Sequence, residues 1–341
     1  MSDRENTSVN KTAKPRFEWL DILKGILIFF VLVDHSYPDA WIESFYTPFF
    51  LAMFFWVGGY TFSLKNSFKE FILAKIKRLV VPLFILGGMR VIILCIISGF
   101  DKLWDRLIGL VLQRNFIYDE MWFLSCLFMA ELIMYVLLKV FLKIKNDGTR
   151  YIVLFITVSL LTVLGYVIIS IFKLKLVWEI ETALIMIVYT GIGYIWRKNE
   201  PKSGIMLKIP VVILCLVSYV ALWFFVPIVI YIHLQEFENI PLFVLESLLM
   251  IPVTIFFSKM IEGSKFGRVF SLFGRNTLFF FAFGGFGREI FYKLLEMIGV
   301  NYSPWQSFAS AVFTLCLMIG PALLFKKIVP FAVGESRSKK A

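Results

Sequence analysis

Runs of about twenty apolar residues, the length with which a helix crosses the hydrocarbon core of a bilayer, recur along the chain. Hydrophobic residues make up 59% of the 341 positions and the mean hydropathy is +0.81, which excludes a soluble globular protein. Backbone polar groups in lipid must be satisfied within their own segment, so such runs indicate helices. The sequence predicts an all-α, polytopic integral membrane helix bundle.

The apolar runs predict about ten transmembrane helices, at 17–37, 45–63, 79–98, 117–140, 150–172, 177–196, 208–232, 240–259, 269–284 and 305–328. The segments 99–116 and 285–303 mix charged and apolar residues, as amphipathic interfacial helices do. Lys and Arg are frequent in alternate connections, such as 64–78, and absent from others, such as 38–44. This alternation predicts that both termini are cytoplasmic.

The net charge of +11 follows the same alternation, so it indicates membrane topology and not nucleic-acid binding. We expect one transmembrane domain at 16–330, between a disordered tail at 1–15 and a basic tail at 331–341. The expected location is the cell membrane, namely the cytoplasmic membrane of a bacterium. The four cysteines lie singly in apolar segments, which predicts neither a disulfide framework nor a metal site.

The first apolar run, RFEWLDILKGILIFFVLVDHSY at 16–37, contains Asp21, Lys24, Asp34 and His35. A lysine inside hydrocarbon costs about 2.5–3.5 kcal/mol, so this polar stripe must face protein or trapped water. Lys24 and His35 fall within about 20° of one helix face and about 16 Å apart along the axis. We therefore interpret the stripe as a functional candidate and not as a membrane anchor.

The chain has two histidines, His35 and His233, and the predicted topology puts both near the outer surface. Histidine is suited to act as a general base near neutral pH. Asp34 is positioned to orient the ring of His35 if the helix end frays; the alternative is an interfacial histidine bound to a loop. His233 opens a polar loop, where we expect it to be solvated.

The helix near 117–140 begins with further polar residues. Asp119 and Glu120 either complement the helix dipole or accompany His35 and bind an acceptor hydroxyl. Trp122 is either an interfacial aromatic residue or the wall of an acceptor pocket. Arg90 and Glu131 come to similar depth in the membrane and predict a structural ion pair, because either charge alone would be costly there.

Basic residues also gather at the predicted cytoplasmic side. They either anchor the protein to lipid headgroups or, with Lys24, collect the phosphates of an anionic cofactor. The residues concerned are Arg16, Lys77, Arg78 and Arg275.

Five stretches, taken in order, resemble the acyltransferase-3 family of membrane O-acyltransferases, which includes fucose 4-O-acetylase-like proteins. They are DILKGILIFFVLVDHS, with the family's pattern of Lys or Arg, ten residues and His, followed by SFYTPFFLAMFFWVGGY, KIKRLVVPLF, MWFLSCLF and FGRNTLFFF. The resemblance implies a ten-helix bundle that moves an acyl group, commonly acetyl, from cytoplasmic acyl-CoA to a hydroxyl of a glycan or lipid-linked sugar. It also implies that His35 is the catalytic base and that Lys24 belongs to the donor path.

The chain departs from the family pattern at three positions. Tyr46 and Gly284 stand where many members have histidine, and Gly58 stands where serine is common. These departures leave the acceptor class open. Tyr46, Tyr60 and Tyr37 are alternative donors to the developing oxyanion.

Two other hypotheses remain beside acyl transfer. The first is a glycan or lipid carrier or flippase, in which Lys24, Arg90 and Glu131 line a path and His35 gates it. The second is a non-catalytic accessory subunit that works with polysaccharide biosynthesis proteins. Acyl transfer predicts dependence on acyl-CoA, a carrier predicts transport without it, and an accessory subunit predicts loss of a partner's activity.

Overall fold

The computed structural model describes residues 17–64, 67–113 and 121–334. Within these ranges the chain is almost entirely helical. The predicted tail 1–15 and the residues Arg16, Asp119 and Glu120 lie outside them, as does 335–341. The helices are α1 (Glu18–Asp34), α2 (Ala40–Tyr46), α3 (Phe50–Tyr60), α4 (Phe68–Lys75), α5 (Val81–Ser98), α6 (Leu103–Leu112), α7 (Trp122–Phe141), α8 (Asp147–Ser170), α9 (Ile180–Lys198), α10 (Glu200–Ser203), α11 (Ile209–Phe225), α12 (Ile240–Met260), α13 (Lys265–Gly274), α14 (Thr277–Met297) and α15 (Gln306–Ile328).

Shorter elements connect these helices. Strands β1 (Ile230–Tyr231) and β2 (Glu236–Phe237) form an antiparallel hairpin in which Tyr231 is opposite Glu236. A π-helical turn, Ile76–Val80, joins α4 to α5. Short 3₁₀ turns cover Val177–Glu179, Gly204–Leu207, Ile232–Leu234 and Pro330–Val333.

Within the described ranges, six segments are long and apolar enough to cross a membrane: Ala40–Tyr60, Phe68–Ser98, Trp122–Phe141, Asp147–Ser170, Ile240–Met260 and Gln306–Ile328. The bent pair α13 and α14 makes seven if it counts as one span. The predicted count of ten is therefore not confirmed. Helix α11 is apolar but has only 17 residues. Helix α1 has the same length and also carries four charged residues. The cytoplasmic position of the termini stays a prediction.

The ninth predicted helix, 269–284, is wrong in its bounds. Helix α13 ends at Gly274 and α14 begins at Thr277, with an 88° bend between them. The side chain of Asn276 donates to the carbonyl of Leu272 at 2.8 Å, which satisfies a group freed by the break. Helix α14 then continues to Met297, so most of 285–303 belongs to this helix and does not form a separate one.

Helix α1 lies inside the bundle, where it packs mainly against α13, α15, α14, α12 and α3. Its apolar residues Ile22, Leu23, Leu27 and Ile28 are fully buried. Asp21 is also buried, with 3% of its surface exposed, so the polar side chain faces protein as the charge pattern predicts.

Two glycines allow α1 and α13 to cross closely. A Cβ atom at Gly25 would lie 2.0 Å from the carbonyl oxygen of Phe270, and one at Gly274 would lie 1.7 Å from that of Asp21. Both neighbours are backbone atoms and cannot rotate away. This contact brings the end of α13 against the first turns of α1.

Large apolar side chains are exposed on the outer helices. Ile152, Leu160 and Val163 of α8 and Leu214 and Val217 of α11 are examples. Apolar faces of this extent are suited to contact lipid tails and not water. Together with the spans above, this surface is that of a multi-pass membrane protein.

Candidate functional site

One end of α1 holds His35 in a fixed backbone position. The helix ends at Asp34, and His35 is its C-cap, with φ −79° and ψ 4°. The carbonyls of residues 35, 36 and 37 have no partner in the helix, and each accepts a hydrogen bond from a distant side chain. The bonds run from Arg288 Nη1 to His35 at 2.6 Å, from the Tyr292 hydroxyl to Ser36 at 2.6 Å, and from the Tyr302 hydroxyl to Tyr37.

Arg288 combines two favourable effects at this helix end. Its guanidinium satisfies a carbonyl of the last turn, and its positive charge lies at the negative end of the helix dipole. It also lies 4.9 Å from the centre of the Tyr37 ring and pairs with Glu289 at 2.6 Å. The same residue therefore holds the backbone of His35 and contacts the ring of Tyr37, on either side of Ser36.

Asp34, His35 and Tyr46 form the centre of this end. The carboxyl of Asp34 interacts with the charge of His35 and with the Tyr46 hydroxyl. The contact with Tyr46 is looser than an ordinary hydrogen bond, since this buried hydroxyl has no partner of normal geometry among the described residues. The Tyr46 ring is fully buried and stacks on Phe30 at 5.5 Å. The charges of Asp34 and His35 thus interact at the end of α1, and the orientation of the ring by Asp34 stays a prediction.

The β-hairpin brings His233 to the same place. The Tyr231 hydroxyl donates to the carboxylate of Glu43 on α2, and the backbone N–H of Ile230 donates to Thr47 Oγ1 at 3.2 Å. These two bonds fix the hairpin beside the residues that follow α1. His233 then lies close enough to His35 for the charge on one imidazole to affect the other.

The expected solvation of His233 is wrong, because its side chain is partly buried. Burial, and secondarily the charge of His35, lowers the pKa of His233 to about 4. Its imidazole is therefore neutral at physiological pH, with one nitrogen that donates and one that accepts. No local motif marks this residue; the only signal in the sequence is that it is one of two histidines.

A cationic cluster occupies the other end of α1. Lys24 Nζ lies 2.8 Å from Asp21 Oδ1, and Arg275 Nε lies 3.4 Å from Asp21 Oδ2. The Lys24 and Arg275 side chains are 26% and 42% exposed, whereas Asp21 is buried. Lys326 donates to the carbonyl of Arg275 at 3.5 Å. Two of the predicted donor-path residues, Lys24 and Arg275, are thus brought together.

The other predicted site residues lie elsewhere. Lys77 and Arg78 are exposed on the π-helical turn, and no bond links their side chains to Asp21 in the part of the chain that the structure describes. Trp122 begins α7, and its ring packs against Phe123. Tyr60 donates to Glu200 at 2.7 Å.

Tyr60 lies at the opposite end of α1 from His35, so it is not placed to donate to an oxyanion there. Its ring packs 6.3 Å from Phe17 and 5.2 Å from Trp19, at the start of α1. Helix α3 runs antiparallel to α1, so Tyr46 before α3 comes near His35 whereas Tyr60 at its end does not.

The predicted partner of Glu131 also differs. Lys75 Nζ lies 2.6 Å from Glu131 Oε1, with side-chain exposures of 12% and 5%, so Glu131 pairs with Lys75 and not with Arg90. Lys75 is also 5.4 Å from the Phe62 ring centre. The sequence predicts Arg90 as the partner of Glu131 because the two residues lie at similar depth in the membrane. Depth alone does not specify the direction in which each helix face points.

Two departures from the expected motif have packing consequences. A Cβ atom at Gly284 would lie 2.3 Å from Leu32 Cδ2, so glycine allows α14 to approach α1 closely. At Gly58 a Cβ atom would lie 3.1 Å from Leu127 Cδ1. Larger side chains at these positions would require their neighbours to move.

Comparison with known families identifies the chain. The model of the Acyl_transf_3 family, described as an acyltransferase domain, matches residues 17–326. The chain belongs to the acyltransferase-3 family. Acyltransferase-3 members transfer acyl groups at membranes, and the match includes both ends of α1. No curated protein and no solved structure matches the sequence significantly.

The described part of this acyltransferase contains no group of three or more His, Cys, Asp or Glu side chains arranged to hold a metal ion. The polar side chains described at the His35 end are an imidazole, the carboxyl of Asp34 and the buried hydroxyl of Tyr46.

Proposed function

We propose that the protein is a membrane-bound O-acyltransferase that moves an acyl group, with acetyl as the simplest case, from cytoplasmic acyl-CoA to a hydroxyl of a cell-surface or lipid-linked glycan. The observation that carries the proposal is the arrangement of α1. One helix holds exposed cations at Lys24 and a histidine cluster at His35, about 16 Å apart along its axis.

The cationic end suits the donor. Coenzyme A carries its phosphates at one end and its thioester at the other. Lys24 and Arg275 are partly exposed and share one buried carboxylate, so they retain positive charge for phosphate oxygens. Donor phosphates bound here leave the thioester end free to extend along α1 toward His35.

The histidine end suits the transfer. His35 accepts the proton of the acceptor hydroxyl as its oxygen attacks the thioester carbonyl, and Asp34 stabilises the imidazolium that forms. The new C–O bond forms, the C–S bond breaks, and the leaving thiolate takes the proton from the His35 imidazolium, which returns the base to its starting state. The Tyr46 hydroxyl, which the Asp34 carboxyl holds only loosely, is the candidate donor for the oxyanion of the tetrahedral intermediate.

The carrier hypothesis receives less support from the structure. It required Glu131 to line a translocation path, but Glu131 is held in a buried pair with Lys75. The accessory-subunit hypothesis remains an outcome of the experiment below.

The proposal is tested with radiolabelled acetyl-CoA supplied to sealed vesicles of known orientation. The proposal predicts labelled glycan when acetyl-CoA is on the cytoplasmic face and none when it is on the outer face. Glycan movement without coenzyme A would support a carrier. If neither transfer nor movement occurs and deletion abolishes a partner enzyme's activity, the protein is an accessory subunit.

A further inference from the structure

The polar groups around His35 divide into two sets. Most are already bonded within the protein, such as Tyr231 to Glu43 and Ile230 to Thr47. The hairpin residue Gln235 donates to Glu181 at 2.6 Å. These groups hold the hairpin in place and have little capacity left for a ligand.

Three side chains form the second set: His35, His233 and Tyr46. Among the residues that the structure describes, neither imidazole makes a side-chain hydrogen bond, and the fully buried Tyr46 hydroxyl has only its loose contact with the Asp34 carboxyl. Buried polar groups in folded proteins are nearly always bonded. Two imidazoles that the protein leaves unbonded, together with a hydroxyl that Asp34 holds only loosely, therefore point to a ligand with several hydrogen-bonding groups.

A sugar meets this requirement. Each of its hydroxyls both donates and accepts, as does each neutral imidazole. One hydroxyl can give its proton to His35 while a neighbouring hydroxyl bonds to His233. Since the hairpin is fixed to α2 and to Glu181, His233 is held in position before the ligand arrives.

We propose that hairpin 230–237 forms the acceptor side of the site and that His233 binds the acceptor glycan beside the hydroxyl attacked through His35. This inference rests on the proposed acyl transfer and adds a residue for acceptor recognition. His233 selects the acceptor and does not activate the donor.

The lowered pKa of His233 supports this role. A neutral ring at physiological pH keeps its accepting nitrogen, which a protonated ring would lose. His233 is therefore suited to bind a neutral hydroxyl group of the acceptor.

The first test separates transfer to glycan from transfer to water. His233→Phe keeps a flat ring but removes both nitrogens, and His233→Gln restores one donor and one acceptor. We expect His233→Phe to raise the KM for the envelope glycan fraction about tenfold, with partial rescue by His233→Gln.

The hydrolysis of radiolabelled acetyl-CoA by water should stay unchanged in both variants. Lys293→Gln, at an exposed position of α14 outside the hairpin, is the control.

The second test does not need activity. The chain has two histidines, so protein labelled with ¹⁵N-histidine gives two imidazole systems, which His35→Gln assigns. Addition of the lipid-extractable envelope glycan fraction should shift the His233 resonances. A shift without any acetyl transfer would retain the acceptor site and overturn the proposed enzyme. Transfer with an unmoved His233 and a normal His233→Phe KM would overturn the acceptor site alone, and neither shift nor transfer would overturn both.

Discussion

Arg288 on α14 donates a hydrogen bond of 2.6 Å to the backbone carbonyl of His35, 253 positions earlier in the chain. The bond fixes the backbone of His35 at the end of α1. It does not involve the imidazole ring. It joins the late part of the chain to the helix that carries the candidate base. Arg288 is therefore a positioning residue, which acts through the backbone of His35.

Replacement of Arg288 should reduce transfer without affecting the donor end. A displacement of about 1 Å at a reacting group can cost about 10²-fold, so we expect Arg288→Gln to lose 10- to 100-fold in kcat. Arg288→Lys should recover part of this, because an ammonium can donate to the same carbonyl. Acetyl-CoA binding, measured by equilibrium dialysis in detergent, should be unchanged. Lys293→Gln, at an exposed position of α14, is the control; an equal loss there would contradict the assignment.

The crossing of α1 and α13 should not accept a methyl group. In Gly274→Ala the new Cβ would meet the backbone oxygen of Asp21, and overpacking of this kind costs about 1–3 kcal/mol or more. We expect a lower thermal midpoint in detergent and weaker acetyl-CoA binding, since the same contact places Arg275. Gly88→Ala is the matched control, because no atom lies within 4 Å of its Cβ. Equal midpoints for the two variants would show that the crossing is less tight than described.

Acid should destabilise the protein partly through His233. The pKa is about 4 in the folded protein and 6.5 when the group is exposed, so above pH 6.5 the ring is neutral in both states. Between pH 6.5 and 4 the unfolded chain binds a proton that the folded chain does not, and stability falls. Below about pH 4 the loss is complete.

Thermal midpoints measured from pH 7 to pH 4 check this. The midpoint of the wild type should fall relative to that of His233→Gln across this range. Parallel pH curves for the two proteins would mean that His233 is not held neutral by its surroundings.

The Lys75–Glu131 pair should be structural. Breaking a buried pair by removing one charge costs about 3–5 kcal/mol, whereas replacing both partners with apolar residues is often neutral. We expect Lys75→Met to lower the thermal midpoint strongly and the double variant Lys75→Met/Glu131→Leu to restore it. Transfer per folded molecule should be normal in the double variant; a selective loss of transfer would instead place the pair on the donor path.

These cases show what the sequence could predict. The spacing of Asp21 and Lys24 within one helix predicts their contact, and the run that carries Lys24 and His35 indicates both ends of the site. Local sequence patterns do not specify how helices are rotated relative to one another. The sequence therefore predicts an Arg90–Glu131 pair, whereas Glu131 pairs with Lys75 in the structure.

His233 illustrates a second limit. Its approach to His35 depends on bonds from Tyr231 to Glu43 and from Ile230 to Thr47, which join residues more than 180 positions apart. The loop that carries it is polar and short, as solvated loops are. The bend after Gly274 also cannot be predicted from the apolar pattern, because apolar residues continue on both sides of it.

The central claim is that His35 is the base for acyl transfer to a glycan. The most direct measurement is transfer of radiolabelled acetyl from acetyl-CoA to the envelope glycan fraction by wild type and His35→Gln at matched membrane abundance. The account predicts that wild type labels the glycan and that His35→Gln is slower by about 10²–10⁴-fold, with acetyl-CoA binding retained. Equal transfer by the two proteins would contradict it, as would no transfer by folded wild type with any acyl-CoA.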